Sequence, residues 1–247
     1  MREGRENRTG AHRSGRLPFA TLTVAILALS GCSGPQSMID PAGPAAAAVA
    51  SLWWWMFGFS LIVLTLIIAL WFYAMRSTPR RHTREQERRI AGRWIVGGGI
   101  VLPMASIIVL LVFGLPVGQR LLPGAAGPQP LRIEAIARQW WWEIRYPDLD
   151  EALVNEFRLP VGRPVEVHVA SRDVIHSFWI PSLGGKIDAM PGRTNVVRLE
   201  ATRPGRLRGA CAEFCGLAHS RMILDVHAMP AEAFDQWFAQ RRRAANP

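Results

Sequence analysis

Two stretches without a single charge govern what this chain can fold into. Leu52–Tyr73 runs for 22 residues and Ile95–Leu115 for 21 with no Asp, Glu, Lys or Arg. The hydrocarbon core of a bilayer is about 30 Å thick, and a helix rising about 1.5 Å per residue crosses it in about 20 residues. Trp53, Trp54 and Trp55 stand at one end of the first stretch and Trp71 and Tyr73 at the other, the positions of interfacial aromatic belts. In the second, Gly97, Gly98 and Gly99 permit close helix contact, and Pro103 removes a backbone donor that a straight helix would use. Between the stretches, Arg76–Arg93 carries seven Arg and two Glu, which the positive-inside rule assigns to the cytoplasm. The expectation is a two-helix transmembrane hairpin. Its spans are 52–75 and 95–115, joined by a cytoplasmic loop at 76–94. The N-terminus and everything after about Arg120 then face the other side.

The first 31 residues carry five Arg and two Glu ahead of an apolar run, Leu17–Leu29. That run is too short to span a bilayer and suits the core of a signal peptide. Its ending, Leu29-Ser30-Gly31-Cys32, resembles a bacterial lipobox, which makes Cys32 the lipid-modified first residue of a mature chain. Cleavage nearby with an unmodified thiol is the alternative. Residues 32–51, with Pro35, Pro41 and Pro44, read as a linker. The formal net charge of +10 would suit nucleic acid, but from Leu131 onward there are 16 basic and 14 acidic residues. The excess lies in the leader and the inter-span segment, where targeting and topology use it, and no nucleic-acid partner is expected.

After a Pro/Gly-rich linker at 116–130 the pattern changes. Val165, Val167 and Val169 alternate with Glu166, His168 and Ala170; Leu224, Val226 and Ala228 alternate with Asp225, His227 and Met229. Leu131–Arg138, Trp140–Tyr146, Asn195–Ala201 and Arg206–Ala210 also read as short strands. Short strands between turn signals mean an all-β sandwich or barrel, here over 131–229. Pro230 opens a C-terminal helix and tail, 230–247, with Phe234, Trp237 and Phe238 on one packing face.

The chemistry concentrates in one loop. Cys211, Cys215, His219 and Met222 fall within twelve residues. Thiolate and thioether are soft ligands and imidazole suits copper too. Cys215 to Met222 alone has the ligand set of a mononuclear blue-copper loop. The second thiol, Cys211, lets two sulfurs bridge a pair of ions, each needing one imidazole, and His176 is the best candidate for the second. A Cys211–Cys215 disulfide is the bland alternative.

These motifs resemble those of subunit II of the haem–copper cytochrome c oxidases. The likeness covers roughly Leu52 to Phe238. Its most specific blocks are Gln139-Trp140-Trp141-Trp142, Asp173 to Phe178, Pro181 to Arg193 and Cys211 to Met222. The resemblance narrows the fold to a cupredoxin-like Greek-key barrel. It implies a binuclear copper A centre of two copper ions, with His176 and His219 as one imidazole each, Cys211 and Cys215 bridging, Met222 weakly axial to one ion and the Glu213 backbone carbonyl axial to the other. It also implies that the Glu213 carboxylate reaches a magnesium or manganese ion shared with subunit I, and that electrons arrive from cytochrome c at Trp140. Asp148, Asp150, Glu151 and Asp188 are docking candidates for a basic cytochrome.

Further implications are partners in subunits I and III, membrane lipid around the hairpin, and a place in a bacterial cytoplasmic membrane with the copper domain outside. No Cys-x-x-Cys-His is present, so no haem is expected in this chain. One departure stands out. Many family members carry a Glu at the start of the second span, at the mouth of a proton path; Val96 occupies the counted position. Either another group serves or protons are admitted differently. A copper A nitric oxide reductase and a tethered copper carrier are the rival readings. The quinol oxidases of similar topology lack the copper ligands retained here.

Overall fold

A backbone crossing lipid must satisfy its own hydrogen bonds, and both apolar stretches do so as helices. A computed structural model describes residues 33–78, 81–120, 130–149 and 151–245. The leader, Cys32 and Asp150 lie outside the described residues. Helix α1 spans Pro44–Arg76, with Pro44 at its start, where a missing N–H costs nothing. The second run is α2 (Arg84–Val96), a π-helical segment (Gly97–Val101) and α3 (Leu102–Arg120) in succession. Both runs are long and apolar enough to cross a membrane.

The boundaries differ from those read in sequence, for physical reasons. Most of the segment expected as a loop at 76–94 is helix. Thr83 accepts a hydrogen bond from Gln86 N–H while the Gln86 side chain accepts from Thr83 N–H. This reciprocal cap, with Glu85 and Glu87 in the first turn, favours helix despite the arginines. Helix α3 continues past Leu115 to Arg120, carrying Pro116 within it. The irregularity falls on the glycines rather than at Pro103 alone. Leu102 N–H bonds Gly97 O, five residues back, and Pro103 has no N–H to offer.

The segment expected as a linker at 32–51 is not free. Ala42 N–H donates to Ser182 O at 2.7 Å, Thr202 N–H to Ala42 O at 2.7 Å, and Ala46 N–H to Leu183 O at 3.2 Å. Arg208 N–H donates to Pro35 O, and Arg203 pairs with Asp40. Ala42 and Ala46 are fully buried. At Gly43 a Cβ would overlap Glu200 O and stand 2.9 Å from Leu183 O, so only glycine allows this approach. Residues 35–46 are thus a strap clasped by the β domain, and α1 starts inside that clasp.

The expected all-β, cupredoxin-like domain takes the form of two five-stranded sheets. The strands are β1 Leu131–Arg138, β2 Trp141–Arg145, β3 Leu153–Val154, β4 Glu156–Pro160, β5 Val165–Ser171, β6 His176–Trp179, β7 Ile187–Ala189, β8 Asn195–Leu199, β9 Gly205–Cys211 and β10 Ile223–Met229. One sheet has the order β3-β2-β1-β5-β8, the other β4-β10-β9-β6-β7. The pairs β1–β5 and β4–β10 are parallel and the rest antiparallel.

Strand alternation sets the core. Val165, Val167 and Val169 point in from β5, and Leu224, Val226 and Ala228 from β10. Trp142 on one sheet meets Phe178 on the other edge to face at 5.4 Å, and Phe178 meets Phe157 at 5.8 Å. Each such fully buried side chain contributes about 1.5–3 kcal/mol. Helix α4 (Ala231–Ala245) lays Phe234, Trp237 and Phe238 around Tyr146. The buried Tyr146 hydroxyl donates to Arg158 O at 2.7 Å and accepts from Arg158 N–H at 2.8 Å, so it serves the outer edge of β4.

Candidate metal centre

Strand register brings the distant histidine to the cysteine loop. Strands β6 and β9 pair with Phe178 opposite Cys211, so His176, two residues earlier on the same face, arrives beside Cys211. The loop from Ala212 to Met222 joins β9 to β10. It is closed by Cys211 N–H to Met222 O at 3.0 Å and tied to β6 by Ala212 N–H to Ser177 O at 2.9 Å.

All six positions singled out as ligands meet there. Cys211 Sγ lies 3.8 Å from His176 Nδ1, 3.2 Å from Glu213 O and 3.8 Å from Cys215 Sγ. Cys215 Sγ lies 3.6 Å from His219 Nδ1 and 3.9 Å from Met222 Sδ. His176 and Met222 are fully buried, Cys211 and Cys215 nearly so. A disulfide needs about 2.05 Å between sulfurs, and the cysteines are free. Two thiolates on one tetrahedral ion, with metal–sulfur bonds of about 2.3 Å as for zinc, stand about 3.8 Å apart. The donor set therefore fits shared metal. The thioether of Met222 favours a soft ion over zinc.

The buried setting opposes ionisation of the Cys215 thiol. Burial, then the neighbouring Cys211 sulfur, pushes the Cys215 thiol up to about 12. Without metal this thiol is protonated at neutral pH, and metal binding must release its proton. His176 turns its other nitrogen, Nε2, to Asp173 Oδ1 at 2.8 Å, and a carboxylate so placed fixes an imidazole's tautomer and ring plane. Although burial opposes it, hydrogen bonds from His176 and from the backbone N–H groups of Gln139 and Val174 hold the Asp173 carboxyl below its usual range.

Residues 152–229 match the family described as cytochrome c oxidase subunit II, periplasmic domain. The cytochrome c oxidase subunit 2 of Branchiostoma floridae is 31% identical over 202 residues, covering 72% of this chain and 85% of that one. The chain belongs to the cytochrome c oxidase subunit II family. Its bacterial counterpart from Alkalihalophilus pseudofirmus is 30% identical over 229 residues, covering 89% of this chain and 66% of that longer protein. The quinol oxidase subunit 2 of Bacillus spizizenii is 28% identical over 238 residues, covering 93% and 73%. The crystal structure of the periplasmic domain of subunit II of cytochrome oxidase from Bradyrhizobium japonicum is 31% identical and covers 48% of this chain and 98% of that domain, with a TM-score of 0.45. As a subunit II chain, the protein is a membrane component of an oxidase complex, with a His/Cys/Cys/Met cluster of the copper A kind.

The remaining residues expected to act around the centre are placed as follows. Of the three consecutive tryptophans, Trp142 is core, Trp141 is half-buried beneath the Arg138 guanidinium at 5.5 Å, and Trp140 is half-buried with its indole N–H donating to Cys215 O at 3.1 Å. Asp148, Glu151 and Asp188 are exposed. Glu151 pairs with Arg241 at 3.4 Å, and Asp188 sits opposite Ser177, next to the His176 register position. Glu213 is exposed on the ligand loop beside Phe214 and Leu217, which are 77% and 97% accessible. Sequence reasoning missed Asp173 and Gln139 as parts of the site. Asp173 lies three residues before a candidate ligand, a spacing that invites a carboxylate–imidazole bond; nothing in the sequence marks Gln139 apart from the tryptophans beside it.

Proposed function

We propose that this subunit II is the electron-input subunit of a cytochrome c oxidase. Electrons arrive from a c-type cytochrome at Trp140 and leave for the haem of subunit I, where oxygen is reduced to water with proton translocation. One observation carries this reading. Two thiols, two imidazoles, a thioether and a backbone carbonyl converge from the start of β6 and from the end of β9 with the loop that follows it, and the Trp140 indole is bonded to the peptide carbonyl of one of those cysteines. Two copper ions held by Cys211, Cys215, His176, His219, Met222 and the Glu213 carbonyl would supply a one-electron couple shared between metals. The chain's own part is to hold these donors rigid and dry, so that little rearranges on reduction. The retained ligands support a cytochrome substrate over a quinol.

Other parts of the proposal rest on the resemblance and on surface chemistry. The exposed Glu213 carboxylate offers a hard oxygen for a magnesium or manganese ion shared with subunit I. Asp148, Asp150, Glu151 and Asp188 steer the cytochrome. Glu151 contributes least, since Arg241 already engages it. The hairpin lies in the bacterial cytoplasmic membrane beside subunits I and III, with the metal domain on the periplasmic side and Cys32 lipidated. Val96 marks a proton-path mouth without its usual carboxylate.

The test is copper content and low-temperature electron paramagnetic resonance of the full chain in detergent. Two coppers per chain with the hyperfine pattern of one electron spread over both are expected. One copper with a mononuclear pattern would return the chain to the single-copper carriers.

A further inference from the structure

The Gln139–Trp140 pair touches both ligand loops at once. Gln139 N–H donates to Asp173 Oδ2 at 2.6 Å, and Asp173 Oδ1 holds His176 Nε2 at 2.8 Å. On the other side, Gln139 Nε2 donates to Cys215 O at 2.8 Å, beside the Trp140 indole on the same oxygen at 3.1 Å. A carbonyl oxygen has two lone pairs, and here both are taken. The next residue, Gly216, has φ +118, and a Cβ there would stand 3.2 Å from Gln139 Nε2 and 3.2 Å from Trp140 Cζ2. The loop can press against the amide and the indole only because that position is glycine.

Resting on the electron-input reading above, we infer that Gln139 is a positioning residue that fastens the electron-accepting indole to both ligand loops. Its main chain reaches the His176 loop through Asp173, and its side chain reaches the cysteine loop directly. The indole is thereby held one hydrogen bond from the Cys215 peptide, and Cys215 carries that contact through its own bonds to Sγ. Two N–H dipoles also aim their positive ends at the Cys215 carbonyl, which favours the reduced centre electrostatically. Removing one donor loosens the indole and lowers the midpoint potential. Groups that orient metal ligands typically carry about 10–100-fold in affinity or activity.

The deciding variant is Gln139→Met, which keeps the side-chain length and drops the donor at an exposed position, so the fold is not at stake. The full chain in detergent is used. In the metal-free chain, solvent exchange of the Trp140 indole N–H is followed by NMR, with its resonance assigned by its absence in Trp140→Phe. Faster exchange than in the parent chain is expected. In the copper-loaded chain, two coppers are retained, the midpoint potential falls, and electron uptake from reduced cytochrome c slows roughly tenfold at unchanged KM. Gly216→Ala, which crowds the same two groups from the opposite side, is expected to move exchange and potential in the same directions. Unchanged exchange in Gln139→Met, or faster exchange with potential and uptake as in the parent, overturns the inference. Failure of the parent chain itself to bind two coppers instead overturns the functional reading, while indole exchange still decides whether Gln139 positions Trp140.

Discussion

Replacing Gly43 by Ala tests whether the strap fastens the metal domain to its membrane anchor. The new methyl would overlap Glu200 O and press on Leu183 O and Leu183 Cα. All three are backbone atoms of the β domain and cannot swing aside. Relief to an ordinary contact of about 3.5 Å requires the strap to move by about 1 Å. A bond such as Ala42 N–H to Ser182 O, now 2.7 Å, then lies beyond useful hydrogen-bond range. Three backbone bonds hold residues 42–46 to this surface. At about 0.5–1.5 kcal/mol each, their loss costs about 2–4 kcal/mol. At about 1.4 kcal/mol per factor of ten, opening of the strap becomes about 100-fold more frequent. Hydrogen exchange with mass spectrometry of the full chain in detergent reads this directly. Peptides covering 35–50 should lose protection by about that factor, while peptides from β5 and β10 keep theirs and the copper spectrum is unchanged. Protection over 35–50 equal to that of the parent chain would refute the clasp.

Met222→Leu removes a weak axial thioether and keeps volume, so two coppers should stay bound while the midpoint potential shifts; complete loss of copper would contradict the axial role. Tyr146→Phe leaves the Arg158 N–H and C=O without their buried partner. At about 2 kcal/mol, it should lower the domain's melting temperature by about 10 °C, and an unchanged melt would show that water replaces the hydroxyl. Glu143 is buried, which works against ionisation, yet hydrogen bonds from Arg138 and Arg145 hold its carboxyl below the ordinary range. A depressed folded pKa contributes stability above the unfolded value of about 4.3 and loses it as pH falls through the folded value. Acid melts should therefore show a downward slope below that point that Glu143→Gln lacks, and parallel slopes would remove the assignment.

The sequence carries the parts of this protein governed by local rules. Absence of charge marks both spans because lipid admits no alternative. Alternation marks β5 and β10 because one face of each strand must be apolar. The donors of the metal loop are legible because soft ligands seldom cluster for another reason. Contacts set by tertiary approach are not legible. Pro35–Ala46 has the composition of a linker, and it becomes a strap through distant partners: the carbonyls of Ser182 and Leu183, the N–H groups of Thr202 and Arg208, and the Arg203 guanidinium. The arginines between the spans masked a helix that Thr83 and Gln86 announce by their spacing. Gln139 reaches Cys215 across 76 positions, and Asp173 reaches Gln139 across 34; no local pattern encodes either.

The π-helical turn at Gly97–Val101 has a geometric consequence. A π turn accommodates one residue more than the α-helical turn it replaces, and one residue corresponds to roughly 100° of rotation about the axis. The arginine-bearing faces of α2 are therefore dialled by about that angle relative to the apolar faces of α3. Deleting Gly98 alone would restore a regular helix and swing every guanidinium on α2 to a new bearing, with no change to the composition of either face. The three glycines thus set the bearing of the arginine-carrying part of this helical run against its apolar part.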